Sequence, residues 1–109
     1  MTLEIYPVIL DLVASVAPRI TRLRSRSPSL ADQLERALTS IPLNTAEGSY
    51  SRGKNRLARY QSAAASAREA LACCETAHAL GIAAPLDAEL AALFHRVIGT
   101  LVRLSHPRH

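Results

Sequence analysis

Tryptophan is absent from this chain, and its aromatic residues are three tyrosines and one phenylalanine, 4% of the sequence. A core dominated by large rings is therefore excluded. Small and branched aliphatic side chains must fill the interior, and the abundance of alanine and leucine favours helices over sheets. Long apolar runs are also missing. The longest candidate, residues 6–17, is broken by Asp11 and Ser15, short of the roughly 20 residues that cross a bilayer. The opening residues Met1, Thr2, Leu3 and Glu4 carry neither the basic region nor the small-residue cleavage site of a secretory signal, so a cytoplasmic location is expected.

The residue patterns of common catalytic centres are lacking as well. There is no glycine-rich phosphate loop, no paired-cysteine zinc spacing and no His-Glu-x-x-His, so nucleotide and metal chemistry have no support. Cys73 and Cys74 are adjacent in a helical pattern; their side chains diverge by about 100° and do not bridge readily, which suits a reducing compartment. Cys74 is expected on an inward face, where a thiol acts as a small hydrophobe. His78 falls on a core stripe, His95 is isolated, and His106 and His109 lie in the tail. Glu47, Glu69 and Glu75 lack the Glu-x-x-His pairing of di-iron bundles. No catalytic residue, metal ligand or cofactor is expected, and the chain does not read as an enzyme.

What is present is a sequence of 109 residues with 49% hydrophobic and 20% charged residues, enough for one ordinary globular domain. Four amphipathic segments are expected at about residues 3–24, 30–48, 54–80 and 87–104, joined by short connections. On the first, Tyr6, Leu10, Val13, Ala17 and Ile20 recur at helical spacing, with Pro18 expected to kink it. The second carries Leu30, Leu34, Ala37, Leu38 and Ile41, with a bend at Pro42 and a turn over residues 48–53. The third carries Leu57, Tyr60, Ala64, Ala67, Leu71, Cys74 and His78, with an alanine cluster as the centre of packing and Gly81 as its end. Leu86, Leu90, Leu93, Val97, Leu101 and Leu104 form the core face of the fourth. The pattern predicts an all-α, antiparallel up-down-up-down four-helix bundle.

The first helix is apolar over more of its circumference than one core requires. Val8, Ile9, Leu12 and Val16 are expected to bury a second face against another copy of the chain. Charge is uneven too. Thirteen Lys and Arg against nine Asp and Glu leave a net charge of +4, and two zones contain no acid. Arg19, Arg22, Arg24 and Arg26 lie in the first; Arg52, Lys54, Arg56, Arg59 and Arg68 lie in the second, which Arg103 and Arg108 join at the same end of a bundle. Arg19, Arg22, Arg52, Lys54, Arg56 and Arg59 are the candidate contacts to the phosphates of a nucleic acid. A solvated, ligand-free surface is the alternative. Tyr50 and Tyr60 are the aromatics near the second zone.

Residues 40–48, Ser-Ile-Pro-Leu-Asn-Thr-Ala-Glu-Gly, put a proline inside a helix and an Asn toward its apolar side. Asn44 is expected to bond the backbone freed by Pro42, and Glu47 to cap the third helix or pair with Arg52. This stretch resembles the Ser-Ile-Pro-x-Asn-Ile-Ala-Glu-Gly signature of the four-helix-bundle family of 23S ribosomal RNA intervening-sequence proteins. Ser40, Ile41, Pro42, Asn44, Glu47 and Gly48 match it, and Ser66 and Glu69 match the family's downstream Gly-Ser-x-x-Glu. Thr45 replaces the usual Ile and Ala65 the usual Gly, while the basic residue that follows the signature is displaced to Arg52. The resemblance implies a homopentameric ring without catalysis. A similar branch, the accessory variability determinant of diversity-generating retroelements, binds a reverse transcriptase and nucleic acid. Two functions follow as expectations: a non-catalytic oligomeric nucleic-acid-binding scaffold, or a scaffold that docks a partner protein.

Overall fold

The computed structural model describes residues 3–107 and, among these, contains four helices and no strand. They are α1 (Ile5–Arg24), α2 (Pro28–Tyr50), α3 (Gly53–Ala79) and α4 (Ala88–Leu104). Met1, Thr2, Arg108 and His109 lie outside the described residues, and with them the expected part of Arg108 in the second basic zone. The most extensive interhelical contact is α2 on α3, followed by α1 on α2, α3 on α4 and α4 on α1. Among the described residues no helix is long and apolar enough to cross a membrane.

Helix boundaries follow local chemistry. Ser27 caps α2, its Oγ accepting from Leu30 N at 3.3 Å, with Pro28 in the first position, where a missing N–H costs nothing. Asp87 caps α4 in the same way, its Oδ1 accepting from Leu90 N at 2.8 Å. Gly81 ends α3 as expected. It takes φ +75°, Gly81 N donates to His78 O at 2.9 Å and Ile82 N to Ala77 O at 3.1 Å, the paired bonds of a left-handed helix terminus.

Two expected features of α2 differ. The helix does not stop at Pro42, as expected, but it continues past Gly48 to Tyr50, so the turn is Ser51 and Arg52 alone. Pro42 is buried and removes one helical donor to Leu38 O, but Asn44 does not supply that bond. Its Nδ2 donates instead to Ser40 O at 3.0 Å and Ser40 Oγ at 2.8 Å. Thr45, in the place of the usual Ile, is wholly buried, and its hydroxyl donates to Ile41 O at 2.7 Å. A polar side chain is thereby tolerated in the core. Pro18 also lies inside a continuous helix. It and Ala14, whose carbonyl it leaves without a donor, are both exposed, so water can satisfy that carbonyl.

The core face of α1 corrects the sequence reading. Ile5, Ile9, Leu12, Val16, Ile20 and Leu23 are buried, while Leu10 is 44% exposed and Ala17 is exposed. Ile9, Leu12 and Val16 therefore cannot face a second copy, because they fill the subunit's own interior. Val8 stays half-buried on the flank. Both faces of α1 are apolar, so periodicity alone does not tell them apart. Two more corrections concern α3 and α4. His78 is exposed, with Nδ1 3.2 Å from Ala83 O, and Phe94 is fully buried at the centre of the core face of α4.

Candidate nucleic-acid interface

Helix α3 buries Tyr60, Ala63, Ala64, Ala67, Ala70, Cys73, Cys74 and Ala77. Small side chains let α2 approach closely, and at Gly48 no side chain would fit. A β-carbon there would lie 2.5 Å from Tyr60 Cε1 and 2.8 Å from Cδ1. The glycine of the 40–48 stretch is thus required by packing on a ring that the next helix supplies. Tyr60 is buried, and that burial pushes its hydroxyl pKa up.

One turn earlier the same two helices are joined by polar groups. Ser66 Oγ donates to Ser40 Oγ at 2.9 Å, and Arg59 reaches Asn44 Oδ1 at 3.4 Å. With the two bonds of Asn44, a continuous relay runs Arg59, Asn44, Ser40, Ser66. Two residues of α2 are brought together with two of α3, three of the four from the stretches that resemble the family's motifs. The relay borders a shallow groove of about 450 Å³ lined by Arg36, Thr39, Leu43, Glu47 and Arg59 among others. Leu43 stands 66% exposed in it. Arg36 was missed in the sequence, although its place one turn before Ser40 on the same face was readable. Glu47 and Glu69 are exposed, and among the described residues Glu47 makes no ion pair with Arg52.

The six candidate cations divide into two groups. Arg19 is half-buried, and its guanidinium donates to Ala84 O at 2.9 Å and Pro85 O at 3.1 Å, which ties α1 to the α3–α4 connection. Arg56 Nε donates to Ser51 O at 2.9 Å and Gly48 O at 3.2 Å, closing the end of α2. Arg59 holds Asn44. These three serve the fold with at least part of their donor set. Arg22, Arg52 and Lys54 are exposed, and among the described residues none forms an ion pair. The ion pairs found join Arg24 to Asp32 and Glu35, linking α1 to α2.

The cations also sort by position. Arg56 and Arg103 line one recess with Leu3, Leu57, Tyr60 and Leu104, so the start of α3 meets the end of α4. Arg19 and Arg22 line another with Ile82 and Ala83, at the α3–α4 connection. The basic zones therefore stand at different places along the molecule, which measures 44 × 25 × 20 Å. Cys74 is buried, and desolvation pushes its thiol up to about 11; Cys73 is raised for the same reason. Neither has the electropositive, accessible setting of a reactive thiolate. Among the described residues no three His, Cys, Asp or Glu side chains gather into a metal-binding group.

No curated protein and no solved structure matches the chain. The model of one protein family does, that of the 23S rRNA-intervening sequence protein, over residues 1–101. That match spans all four helices except the last residues of α4, and includes both the Ser40 to Gly48 stretch and its Ser66 partner. The chain accordingly belongs to the 23S rRNA-intervening sequence protein family.

Proposed function

We propose that this protein is a non-catalytic, homo-oligomeric scaffold, cytoplasmic and assembled as a pentameric ring, that binds nucleic acid through its basic zones. The observation that carries this reading is the state of the α2–α3 turn. Arg52 and Lys54 stand in solvent with no acidic partner among the described residues, so their charge is available to phosphates. Arg22 offers a further cation at the other zone. Short connections and contact between successive helices support an antiparallel up-down-up-down bundle as the subunit.

Self-association is assigned to the outer face of α1, where Pro7, Leu10, Ala14 and Ala17 are exposed one or two turns apart. This replaces the buried positions Ile9, Leu12 and Val16. The test is fluorescence anisotropy with RNA at rising salt, alongside sedimentation. Binding that weakens steeply with salt and flattens in Arg52→Ala/Lys54→Ala supports the reading; no binding at low salt overturns it. A monomer at micromolar concentration overturns the ring. A second reading, docking of a partner protein such as a retroelement reverse transcriptase, is favoured by the exposed Leu43 in the α2–α3 groove. A co-purified protein lost on Leu43→Ser, with no RNA affinity, would favour it.

A further inference from the structure

We infer that the α2–α3 end of the molecule takes unpaired nucleotides, with the ring of Tyr50 stacking on a base while Arg52 and Lys54 hold the adjoining phosphates. The inference rests on the nucleic-acid reading above and specifies its ligand as single-stranded. Tyr50 is 82% exposed, more than Leu10, Leu43 or Leu80, the other large hydrophobics in solvent. The second ring at this end, Tyr60, is buried against Gly48. Tyr60 is thus spent on packing, while Tyr50 is left as an open face two and four residues before two exposed cations that form no ion pair among the described residues.

The platform is held in place. Ser51 N donates to Gly48 O at 3.2 Å, Ser51 Oγ to Glu47 O at 2.8 Å, and Arg56 Nε to both Ser51 O and Gly48 O. The turn that follows Tyr50 is fastened from both sides, so little backbone ordering is needed there when a ligand arrives. Beside the turn lies the recess of about 670 Å³ shared by Arg56, Tyr60 and Arg103. Its walls at Leu57 and Leu104 are apolar, and its cations are guanidinium groups with His106 nearby. Apolar wall and cationic rim together match a nucleotide that has left its stack, which presents a flat base and a phosphate.

A duplex covers the faces of its bases, so Tyr50 has nothing to stack on there and only the cations engage. The ring therefore confers a preference for single strands, tolerant of sequence because every base has a face. The experiment compares wild type, Tyr50→Ala, Tyr50→Phe and Arg52→Ala/Lys54→Ala. Probes are an unstructured RNA, a DNA of the same sequence and a fully paired, two-stranded RNA duplex, read by anisotropy. Tyr50→Ala is expected to lose about fivefold or more in affinity for both single strands and to leave the duplex unchanged, while Tyr50→Phe keeps wild-type affinity. Equal loss on all three probes, no loss on any, or a changed sedimentation state of Tyr50→Ala overturns the stacking assignment. Binding that persists in Tyr50→Ala but falls in Arg52→Ala/Lys54→Ala overturns it while leaving the wider reading intact; no binding by wild type overturns both.

Discussion

Gly48 of α2 rests directly on the ring of Tyr60 of α3, so near that a single methyl group at Gly48 would enter the ring's carbon shell. Tyr60 is buried, so any shift of its ring repacks the α2–α3 contact. Gly48→Ala should destabilise the protein by about 1–3 kcal/mol, the usual cost of overpacking, seen as a lower urea midpoint. Tyr60→Leu in the same chain should recover part of that loss, because the clash is with ring carbons.

The Ser40 hydroxyl accepts from both Asn44 and Ser66. Ser66→Ala removes one bond and should cost about 1 kcal/mol. Ser40→Ala strands two donors and should cost more. A double-mutant cycle between the two should give clear non-additivity; independent effects would show that the relay does not act as a unit.

Arg19 and Arg22 are three residues apart on α1 but have different partners. Arg19→Ala loses two hydrogen bonds to the α3–α4 connection and should lower thermal stability. Arg22→Ala touches no such bond and should leave stability unchanged while reducing the salt dependence of nucleic-acid binding by a slope of about 1.

Cys74 should be inert. Its thiol is buried and raised to about 11, so alkylating reagents at neutral pH should modify it only on unfolding. Its folded pKa lies above the ordinary value, so the stability it contributes is complete below the unfolded pKa. That stability is lost as pH rises through the folded value. Urea midpoints of wild type should therefore fall on the alkaline side, and those of Cys74→Ala should fall less.

Asp32 works in the opposite direction. The hydrogen bond from Arg24, with the charges of Arg24 and Arg36 behind it, holds its carboxyl below the ordinary 3.8. A lowered folded pKa gives stability that is present above the unfolded value and lost as pH falls through the folded one. Asp32→Asn should thus be less stable than wild type at neutral pH, and the gap should close in acid. Both partners are solvent-exposed, so the gap is small.

Four helices, their order and most of the core of α2 and α4 were legible because one face of each is apolar at helical spacing and the caps are conventional residues. The face of α1 was not, since Leu10 and Ile9 are equally plausible core residues when apolar side chains surround the helix. The place of Gly48 was hidden for another reason: its partner, Tyr60, is twelve residues away on another helix, and only tertiary packing joins them. Ser40 and Ser66 were readable as motif residues but not as a bonded pair. The division of the arginines was also invisible. Arg19 and Arg22 look alike in sequence, and only the position of the Ala84 and Pro85 carbonyls separates them.

The two-residue link between α2 and α3, the helix pair with the largest shared contact, has a kinetic consequence. Closing so short a loop costs little chain entropy, so this pair can form before α1 or α4 is in place. Amide hydrogens near Ala37 and Ala67 should then be the slowest to exchange, and those of the α1–α4 seam, the least extensive of the four main interfaces, among the first to open. The half of the molecule that carries the relay and the Gly48 contact should therefore form first. The α1–α4 seam is where the bundle can loosen without disturbing that half.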